Sequence, residues 1–336
     1  MKTAIAALVE GKNLSREEAE RVAELILTGK ASDAQIASLL TALRMKGETV
    51  DEILGFASVL RGKARTLQPK VSNYVDFVGT GGDRTYSFNV STTSSFVVAA
   101  AGVPVAKHGN RSISSKSGAG DVLEALGVNI SADPKVVEKC VEEVGIGFMF
   151  APHFNPCMKY VGPVRKDLGI RTVFNILGPL SNPSRAEKMV VGVYNPKLVE
   201  TIAKVMVGLG VVRGLVVSGE DNMDEITLTG TTTVGEIRDG EVKVYRIAPE
   251  QFGMKPCTLK ELEGGDGTVN AQITKDILSG KEQGAKRDIV LLNAGAALYV
   301  GGVTESIEAG ISLAAHTIDS GKGVRILENM IAVTNA

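Results

Sequence analysis

Apolar residues recur at helical spacing through the first 60 residues of the chain, which predicts three amphipathic helices. Each predicted helix start carries a capping box, in which a hydroxyl and a later Glu or Gln satisfy each other's free backbone amides. The pairs are Ser15 with Glu18, Ser32 with Gln35 and Thr49 with Glu52. Three short helices cannot bury their apolar faces alone, so we expect them to pack on the rest of the chain or on a second subunit.

The period of the pattern changes from about residue 67 onward. Apolar runs of strand length alternate with helical stretches, at 74–78, 103–106, 146–150, 189–193 and 215–217. This alternation predicts the α/β class, with a mostly parallel central sheet flanked by helices. The pattern further predicts a helix at 155–168, short β pieces within 227–244, an irregular connection at 249–268, and C-terminal helices at 272–279, 287–299, 306–320 and 324–336.

Composition narrows the classes of function. The chain has 336 residues, is 44% hydrophobic and 22% charged, and carries a net charge of −1, which argues against a surface built for nucleic acid. No run approaches about twenty apolar residues and residues 1–10 lack a signal-peptide cleavage pattern, so we expect no membrane partner. The wide spacing of Cys140, Cys157 and Cys257 favours free thiols in a reducing cytoplasm.

Three polar loops follow consecutive predicted elements. The first, 79–83, reads Gly-Thr-Gly-Gly-Asp, and its missing Cβ atoms let backbone amides approach phosphate oxygens. The second, 89–92, begins a predicted helix, where free N–H groups favour anions. The third, 107–111, reads Lys-His-Gly-Asn-Arg, and serines follow it. Loops at the carboxyl ends of strands in an open α/β sheet meet at one crevice, so we expect a site for phosphate and sugar.

An acidic loop follows the strand predicted at 215–217. Residues 218–227 contain Asp221, Asp224 and Glu225, and clustered carboxylates at a strand end suit a hard divalent cation whose remaining ligands are water and phosphate. A solvated acidic turn is the alternative interpretation.

Six motifs together resemble those of the anthranilate phosphoribosyltransferase family, in the same order and over essentially the whole chain. They are GTGGD at 79–83, NVST at 89–92, KHGNRSISS at 107–115, PVR at 163–165, RTVFNILGPLSNP at 171–183 and DEI at 224–226. The resemblance implies transfer of the 5-phosphoribosyl group from phosphoribosyl pyrophosphate to the amino group of anthranilate. Pyrophosphate is released, and the step is the second of tryptophan biosynthesis from chorismate.

The resemblance also implies an organisation of the chain. Residues 1–66 would form a small helical domain, joined by a return segment at about 152–185, and residues 67–151 and 186–336 would form the larger α/β domain that binds phosphoribosyl pyrophosphate. The helical domains of two copies would pair as a homodimer, which would cover the apolar faces of the first helices. A cytoplasmic enzyme is expected.

Site residues follow from the resemblance, position by position. Substrates would contact Gly79, Gly82, Asp83, Ser87, Asn89, Val90, Ser91, Thr92, Lys107, His108, Gly109, Asn110, Arg111, Ser112, Ile113, Ser114, Ser115, Ala119 and Arg165. Of these, Arg165, His108 and Lys107 would be catalytic, with Arg165 holding the anthranilate carboxylate. Magnesium, the expected cofactor, would be held by Ser91, Asp224 and Glu225.

The chain departs from the family pattern at several positions. Ser87 stands where threonine is usual, Ala119 where serine is common, Asn155 where histidine is usual, and Asn222 where glycine is usual. Ala119 lacks a hydroxyl for phosphate, and the usual histidine role near anthranilate does not transfer to Asn155.

Two other functions are compatible with parts of the pattern. A pyrimidine-nucleoside phosphorylase of the same superfamily would bind phosphate and a nucleoside, but Arg165 and the acidic pair at 224 and 225 disfavour it. A non-catalytic relative that binds nucleic acid would need a basic groove, which the charge balance does not favour.

Overall fold

The computed structural model describes residues 1–112 and 116–336. Residues 1–64 form four helices, α1 (Lys2–Val9), α2 (Arg16–Leu27), α3 (Asp33–Lys46) and α4 (Val50–Lys63). All three capping boxes are present, so the predicted starts of α2, α3 and α4 are confirmed. Helix α1 was not predicted, because its apolar run carries no side-chain cap.

Within the described ranges, seven strands form one sheet in the order β3-β2-β1-β4-β5-β6-β7. The strands are β1 (Val75–Gly79), β2 (Val105–Gly109), β3 (Ile146–Phe150), β4 (Lys188–Gly192), β5 (Arg213–Gly219), β6 (Thr232–Arg238) and β7 (Glu241–Ile247). The first five are parallel, and β6 and β7 add as an antiparallel hairpin. The predicted α/β class is therefore confirmed.

Helices cover the sheet along the remaining chain. They are α5 (Val90–Ala100), α6 (Ala119–Ala125), α7 (Pro134–Lys139), α8 (Ala151–Phe154), α9 (Gly162–Leu168), α10 (Phe174–Leu180), α11 (Val199–Gly208), α12 (Gly267–Leu278), α13 (Ala285–Gly301), α14 (Ile307–Asp319) and α15 (Lys322–Thr334). The four predicted C-terminal helices correspond to α12 to α15. The connection after β7 contains two 3₁₀ turns, Pro249–Phe252 and Leu259–Leu262.

The continuous helix predicted at 155–168 is wrong. Helix α8 ends at Phe154, and the segment after it contains a 3₁₀ turn at Pro156–Tyr160 and the separate helix α9. Pro156 lacks an N–H and disfavours helical geometry at Asn155, whose φ of −120° and ψ of 62° end α8. Pro163 lies in the first turn of α9, where proline is tolerated.

Two large apolar cores divide the molecule. One lies between the sheet and the helices α5, α12, α13, α14 and α15. The other joins the four N-terminal helices to the segment 157–180 and to one face of β4 and α11, and in it the rings of Phe56 and Phe174 meet edge to face at 5.9 Å. A small helical domain thus packs beside a larger α/β domain. The exact residue boundaries of the two domains remain a prediction.

Cys140 and Cys157 are buried and Cys257 is half-buried, all three as free thiols. Among the helices of the described residues, none has both the length and the apolar character needed to cross a membrane.

Candidate active site

The polar loops gather where the chain order in the sheet reverses. Strand β1 lies between β2 and β4, so the chain leaves β1 toward one side and later returns to build the other. Gly79 at the end of β1 and Gly192 at the end of β4 are paired neighbours in the sheet. The carboxyl edge at such a reversal is where open α/β sheets form a ligand crevice.

The acidic loop after β5 rests directly on these two glycines. A Cβ atom added to Gly192 would lie 1.6 Å from the backbone oxygen of Asp224, and one added to Gly79 would lie 2.3 Å from its Oδ2. The backbone N–H of Gly81 donates to that same Oδ2 at 2.6 Å. Gly79, predicted as a substrate contact, is therefore also required for the seating of Asp224.

Glu225 and Lys107 link the other loops to this point. The backbone N–H of Ser91, in the first turn of α5, donates to Glu225 Oε1 at 3.0 Å. The ammonium of Lys107, only 2% exposed, donates to Ser91 Oγ at 3.3 Å and to the carbonyl oxygen of Phe77. The predicted metal ligands Ser91, Asp224 and Glu225 are thus brought together, with Lys107 beside them.

Buried negative charge is in excess at this cluster. Burial, with the neighbouring charge of Asp83, raises the pKa of Asp224 to about 7. Burial and the charge of Asp224 likewise raise the pKa of Glu225. Glu225 Oε2 is buried and has no hydrogen-bond partner among the described residues. An unpartnered carboxylate oxygen beside a second carboxylate and a hydroxyl is a donor set that Mg²⁺ prefers, so the residues fit the expected metal.

The cluster does not form a complete cage. In the part of the chain that the structure describes, no three His, Cys, Asp or Glu side chains converge tightly enough to hold a metal ion by themselves. Mg²⁺ commonly keeps water and substrate phosphate oxygens as ligands, so few protein ligands are sufficient.

His108 is held from both sides of its ring. Its Nδ1 lies 3.3 Å from the carbonyl oxygen of Gly178, which only accepts, and its Nε2 lies 3.1 Å from Asn155 Nδ2. Burial lowers the pKa of His108 to about 4, so the ring is neutral. The proton therefore sits on Nδ1, and Nε2 accepts from the amide of Asn155. This arrangement favours positioning over proton transfer for His108.

The loop after β2 is braced by acidic side chains of α6. Arg111 donates from Nη1 and Nη2 to the two carboxylate oxygens of Glu124, at 2.6 and 2.8 Å. The backbone amides of Ser112 and Gly118 both donate to Asp121 Oδ2, at 2.9 and 2.8 Å. The predicted contacts Ile113, Ser114 and Ser115 lie outside the described residues.

The other predicted substrate contacts border the same edge. Asn89 precedes α5, accepts from Asn270 Nδ2 at 2.9 Å and donates to the Ser117 carbonyl at 3.3 Å. Val90 and Thr92 are buried in the first turn of α5, and Thr92 Oγ1 has no hydrogen-bond partner within residues 1–112 and 116–336. Ser87 and Asp83 both contact Thr85, whose hydroxyl donates to Asp83 Oδ2 at 2.5 Å. Gly109 and Asn110 lead into the loop, and Ala119 starts α6.

Arg165 carries a half-buried positive charge on α9. Its guanidinium lies 5.9 Å from the Phe174 ring, and burial lowers its pKa. No carboxylate within residues 1–112 and 116–336 forms an ion pair with it. A cation left partly desolvated and unneutralised suits an anionic ligand group.

Two site residues were missed by sequence reasoning. Asp76, fully buried in β1, accepts from the His108 backbone N–H at 3.3 Å, and burial raises its pKa to about 6. Its position inside an otherwise apolar predicted strand is the sequence signal that could have identified Asp76 as a site residue. Arg171 lies in one of the quoted motifs, donates to the Gly82 carbonyl and stacks over Tyr194. Its partners are distant in sequence, so the motif gave it no role.

Comparison with known proteins agrees with this geometry. Residues 71–324 match the model of the glycosyl transferase family, a/b domain, and residues 2–64 match the glycosyl transferase family, helical bundle domain. The anthranilate phosphoribosyltransferase of Acetivibrio thermocellus is 54% identical, covering 100% of this chain and 97% of the relative. The chain belongs to the anthranilate phosphoribosyltransferase family. It is therefore a pentosyltransferase, as the resemblance implies.

Solved structures of anthranilate phosphoribosyltransferases share the fold. That from Thermus thermophilus superimposes with a TM-score of 0.94 at 42% identity, covering 99% of both chains. That from Saccharomyces cerevisiae, in complex with PRPP and Mg, has a TM-score of 0.92 at 29% identity, covering 99% of this chain and 97% of the other. The expected fold, activity class and magnesium cofactor are confirmed at the level of the family.

We expect His108 to stay neutral well below its usual pKa of about 6.5. Its folded pKa is depressed, so its contribution to stability is complete above about pH 6.5 and is lost as the pH falls toward 4. Nitrogen-15 NMR should show the Nδ1-protonated neutral ring at pH 5.5, with the signal assigned by its absence in His108→Gln. A titration midpoint near 6.5 would contradict the assignment.

Proposed function

We propose that this protein transfers the 5-phosphoribosyl group of phosphoribosyl pyrophosphate to the amino group of anthranilate, forming N-(5-phosphoribosyl)anthranilate and pyrophosphate in the tryptophan pathway. The observation that carries the proposal is the hydrogen-bonded link among Gly81, Asp224, Glu225, Ser91 and Lys107, which draws four of the quoted motifs into one site. We assign one set of residues around that link to phosphoribosyl pyrophosphate and another set to anthranilate.

The part of the site that we assign to phosphoribosyl pyrophosphate, the phosphoribosyl donor, is the glycine-rich loop with the start of α5. The N–H groups of Gly82 and Asp83 have no acceptor within the described ranges, so they are free for phosphate oxygens. The positive end of α5 adds to the attraction for an anion. We assign phosphoribosyl pyrophosphate to these groups and to the loop that follows Lys107, including the residues 113–115.

The part of the site that we assign to anthranilate, the phosphoribosyl acceptor, consists of Arg165, Gly79 and Asn110. The unneutralised guanidinium of Arg165 would hold the ortho carboxylate of anthranilate. An aromatic amine is mostly unprotonated at neutral pH, so it needs orientation more than a strong base. The neutral, doubly hydrogen-bonded ring of His108 is consistent with that requirement, because it fixes the geometry of the loop after β2.

Charge stabilisation is the main catalytic demand. Departure of pyrophosphate builds negative charge on the leaving group while positive charge develops on the sugar. Ser91, Asp224 and Glu225 would hold Mg²⁺, which supplies positive charge to the pyrophosphate oxygens when it is bound. Lys107 supports this role because its ammonium bonds to Ser91 and offsets the charge of the two carboxylates.

A two-domain organisation of the chain is consistent with these proposed roles. We propose limits of 1–66 with about 152–185 for the helical domain, and 67–151 with 186–336 for the α/β domain. The second apolar core supports them, because residues of 157–180 pack among those of the first four helices. We also propose that the enzyme works in the cytoplasm.

The helical domain also presents an apolar face that a second copy would cover. Met45 on α3 is 84% exposed and Val9 on α1 is 73% exposed. Both border a cleft of about 600 Å³ that Leu8, Ala37 and Ala42 also line. A homodimer through this face would bury side chains that are otherwise costly to hydrate.

The reaction is tested by the fluorescence of anthranilate. We expect it to fall when protein, phosphoribosyl pyrophosphate and Mg²⁺ are all present, and to stay constant when any one is omitted or when EDTA removes the metal. Asp224→Asn should shift the Mg²⁺ titration to higher concentration, with Asp239→Asn at the exposed β6–β7 turn as control. An unshifted titration would exclude Asp224 as a metal ligand.

Replacing Arg165 should separate the two substrates. Arg165→Ala is expected to raise the KM for anthranilate by a factor equivalent to about 2–5 kcal/mol, because a partly desolvated ion pair is lost. The KM for phosphoribosyl pyrophosphate should change far less, and Lys166→Ala, at the next and exposed position, should change neither. Equal increases in both constants would refute the assignment.

Disrupting the apolar face should dissociate the dimer. We expect Met45→Glu to shift the mass measured by light scattering from two chains to one, because a charge would be forced into the contact. Val303→Glu, at an exposed apolar position of the α/β domain, should remain dimeric. A wild-type mass of one chain, or a Met45→Glu dimer, would rule out this interface.

A further inference from the structure

Arg171 connects the return segment to the glycine-rich loop. Its Nη2 donates to the carbonyl oxygen of Gly82, which lies 89 residues earlier in the chain. Its guanidinium carbon lies over the buried Tyr194 ring, 3.9 Å from the ring centroid, in a cation–π contact. No carboxylate of residues 1–112 and 116–336 forms an ion pair with it. The loop carbonyl and the aromatic ring are thus its partners, and both restrict its orientation.

The loop that Arg171 contacts has a backbone conformation that residues outside the loop must stabilise. Gly81 and Gly82 have φ angles of 69° and 71°, and the non-glycine residues Arg84 and Tyr86 also have positive φ, at 66° and 56°. Positive φ is disfavoured for side-chain-bearing residues, so the surroundings must hold this conformation. Gly81 is fixed through its N–H by Asp224, and Gly82 through its carbonyl by Arg171.

Fixing the Gly82 carbonyl also fixes an amide. The peptide bond between Gly82 and Asp83 is trans and planar, so the N–H of Asp83 points away from the carbonyl that Arg171 holds. Neither that N–H nor the N–H of Gly82 has an acceptor in the described ranges. The guanidinium therefore determines where the free N–H of Asp83 is directed.

We propose that Arg171 is a positioning residue: packed against Tyr194, it anchors the Gly82 carbonyl and so orients the free N–H of Asp83 in the glycine-rich loop toward a phosphate-bearing substrate. The inference rests on the proposed function, because it assigns phosphoribosyl pyrophosphate to that loop. Arg171 lies in the same return segment as Arg165, the proposed contact for anthranilate. The inference adds that Arg171 nevertheless controls affinity for phosphoribosyl pyrophosphate. Preorganised amides bind an anion without the cost of ordering a mobile loop.

The test compares Michaelis constants for the two substrates in the full-length enzyme. Arg171→Ala should raise the KM for phosphoribosyl pyrophosphate at least tenfold and that for anthranilate less than threefold. Arg171→Lys should recover little, because an ammonium keeps the charge but cannot stack flat on Tyr194 while reaching the carbonyl. Added guanidinium ion should partly restore Arg171→Ala. Arg21→Ala, on the exposed face of α2, is the matched control.

A double-mutant cycle separates anchoring from direct contact with phosphate. If Arg171 acts through its seat on Tyr194, the effects of Tyr194→Leu and Arg171→Ala on the KM for phosphoribosyl pyrophosphate should be strongly non-additive. Additive effects, full recovery in Arg171→Lys, or equal changes in both KM values would overturn the inference while leaving the activity intact. A wild-type protein without transferase activity would instead refute the proposed function.

Discussion

The site depends on the close approach of Asp224 to two strand ends. Its backbone and carboxylate occupy the space where Gly79 and Gly192 have no side chain, so any Cβ at Gly192 would displace the acidic loop. From that position Asp224 fixes Gly81, and the adjacent Glu225 fixes Ser91. The proposed metal ligands and the proposed phosphate-binding loop therefore share one steric constraint, imposed by the missing side chains of Gly79 and Gly192.

The buried charges around Asp224 are unbalanced. Lys107 is buried among Asp76, Asp224 and Glu225, and the acids outnumber the one ammonium. A buried surplus of negative charge is unfavourable by itself, but a cation bound by the substrate's pyrophosphate relieves it. Under the proposed function, this charge would favour a magnesium-bound phosphate substrate over a free anion, whereas Arg165, which has no ion-pair partner among the described residues, would favour a bare carboxylate. The two proposed substrates, both anionic, would then be distinguished by opposite local charge.

Local patterns predicted much of this structure and failed where distant residues decide. Capping boxes and strand-length apolar runs gave α2 to α4 and the first five strands, because those signals lie within a few residues of one another. The helix at 155–168 was wrong since Pro156 outweighs the surrounding helical spacing. The motifs predicted Ser91, Asp224 and Glu225 as metal ligands, and the structure brings these residues together at one edge. The contacts of Arg171 and Asp76, by contrast, join residues that are far apart in the chain.

The apolar core around the first four helices includes residues from a much later part of the chain, and this has a consequence for biosynthesis. Its core needs Phe174 and other residues of 157–180 beside Phe56 and the first four helices. When the ribosome has released only residues 1–64, those helices still expose the apolar surface that the later segment covers. Closing that core requires contacts between residues more than a hundred positions apart, which fold slowly. The nascent helices therefore pass through an interval in which aggregation or chaperone binding competes with native assembly.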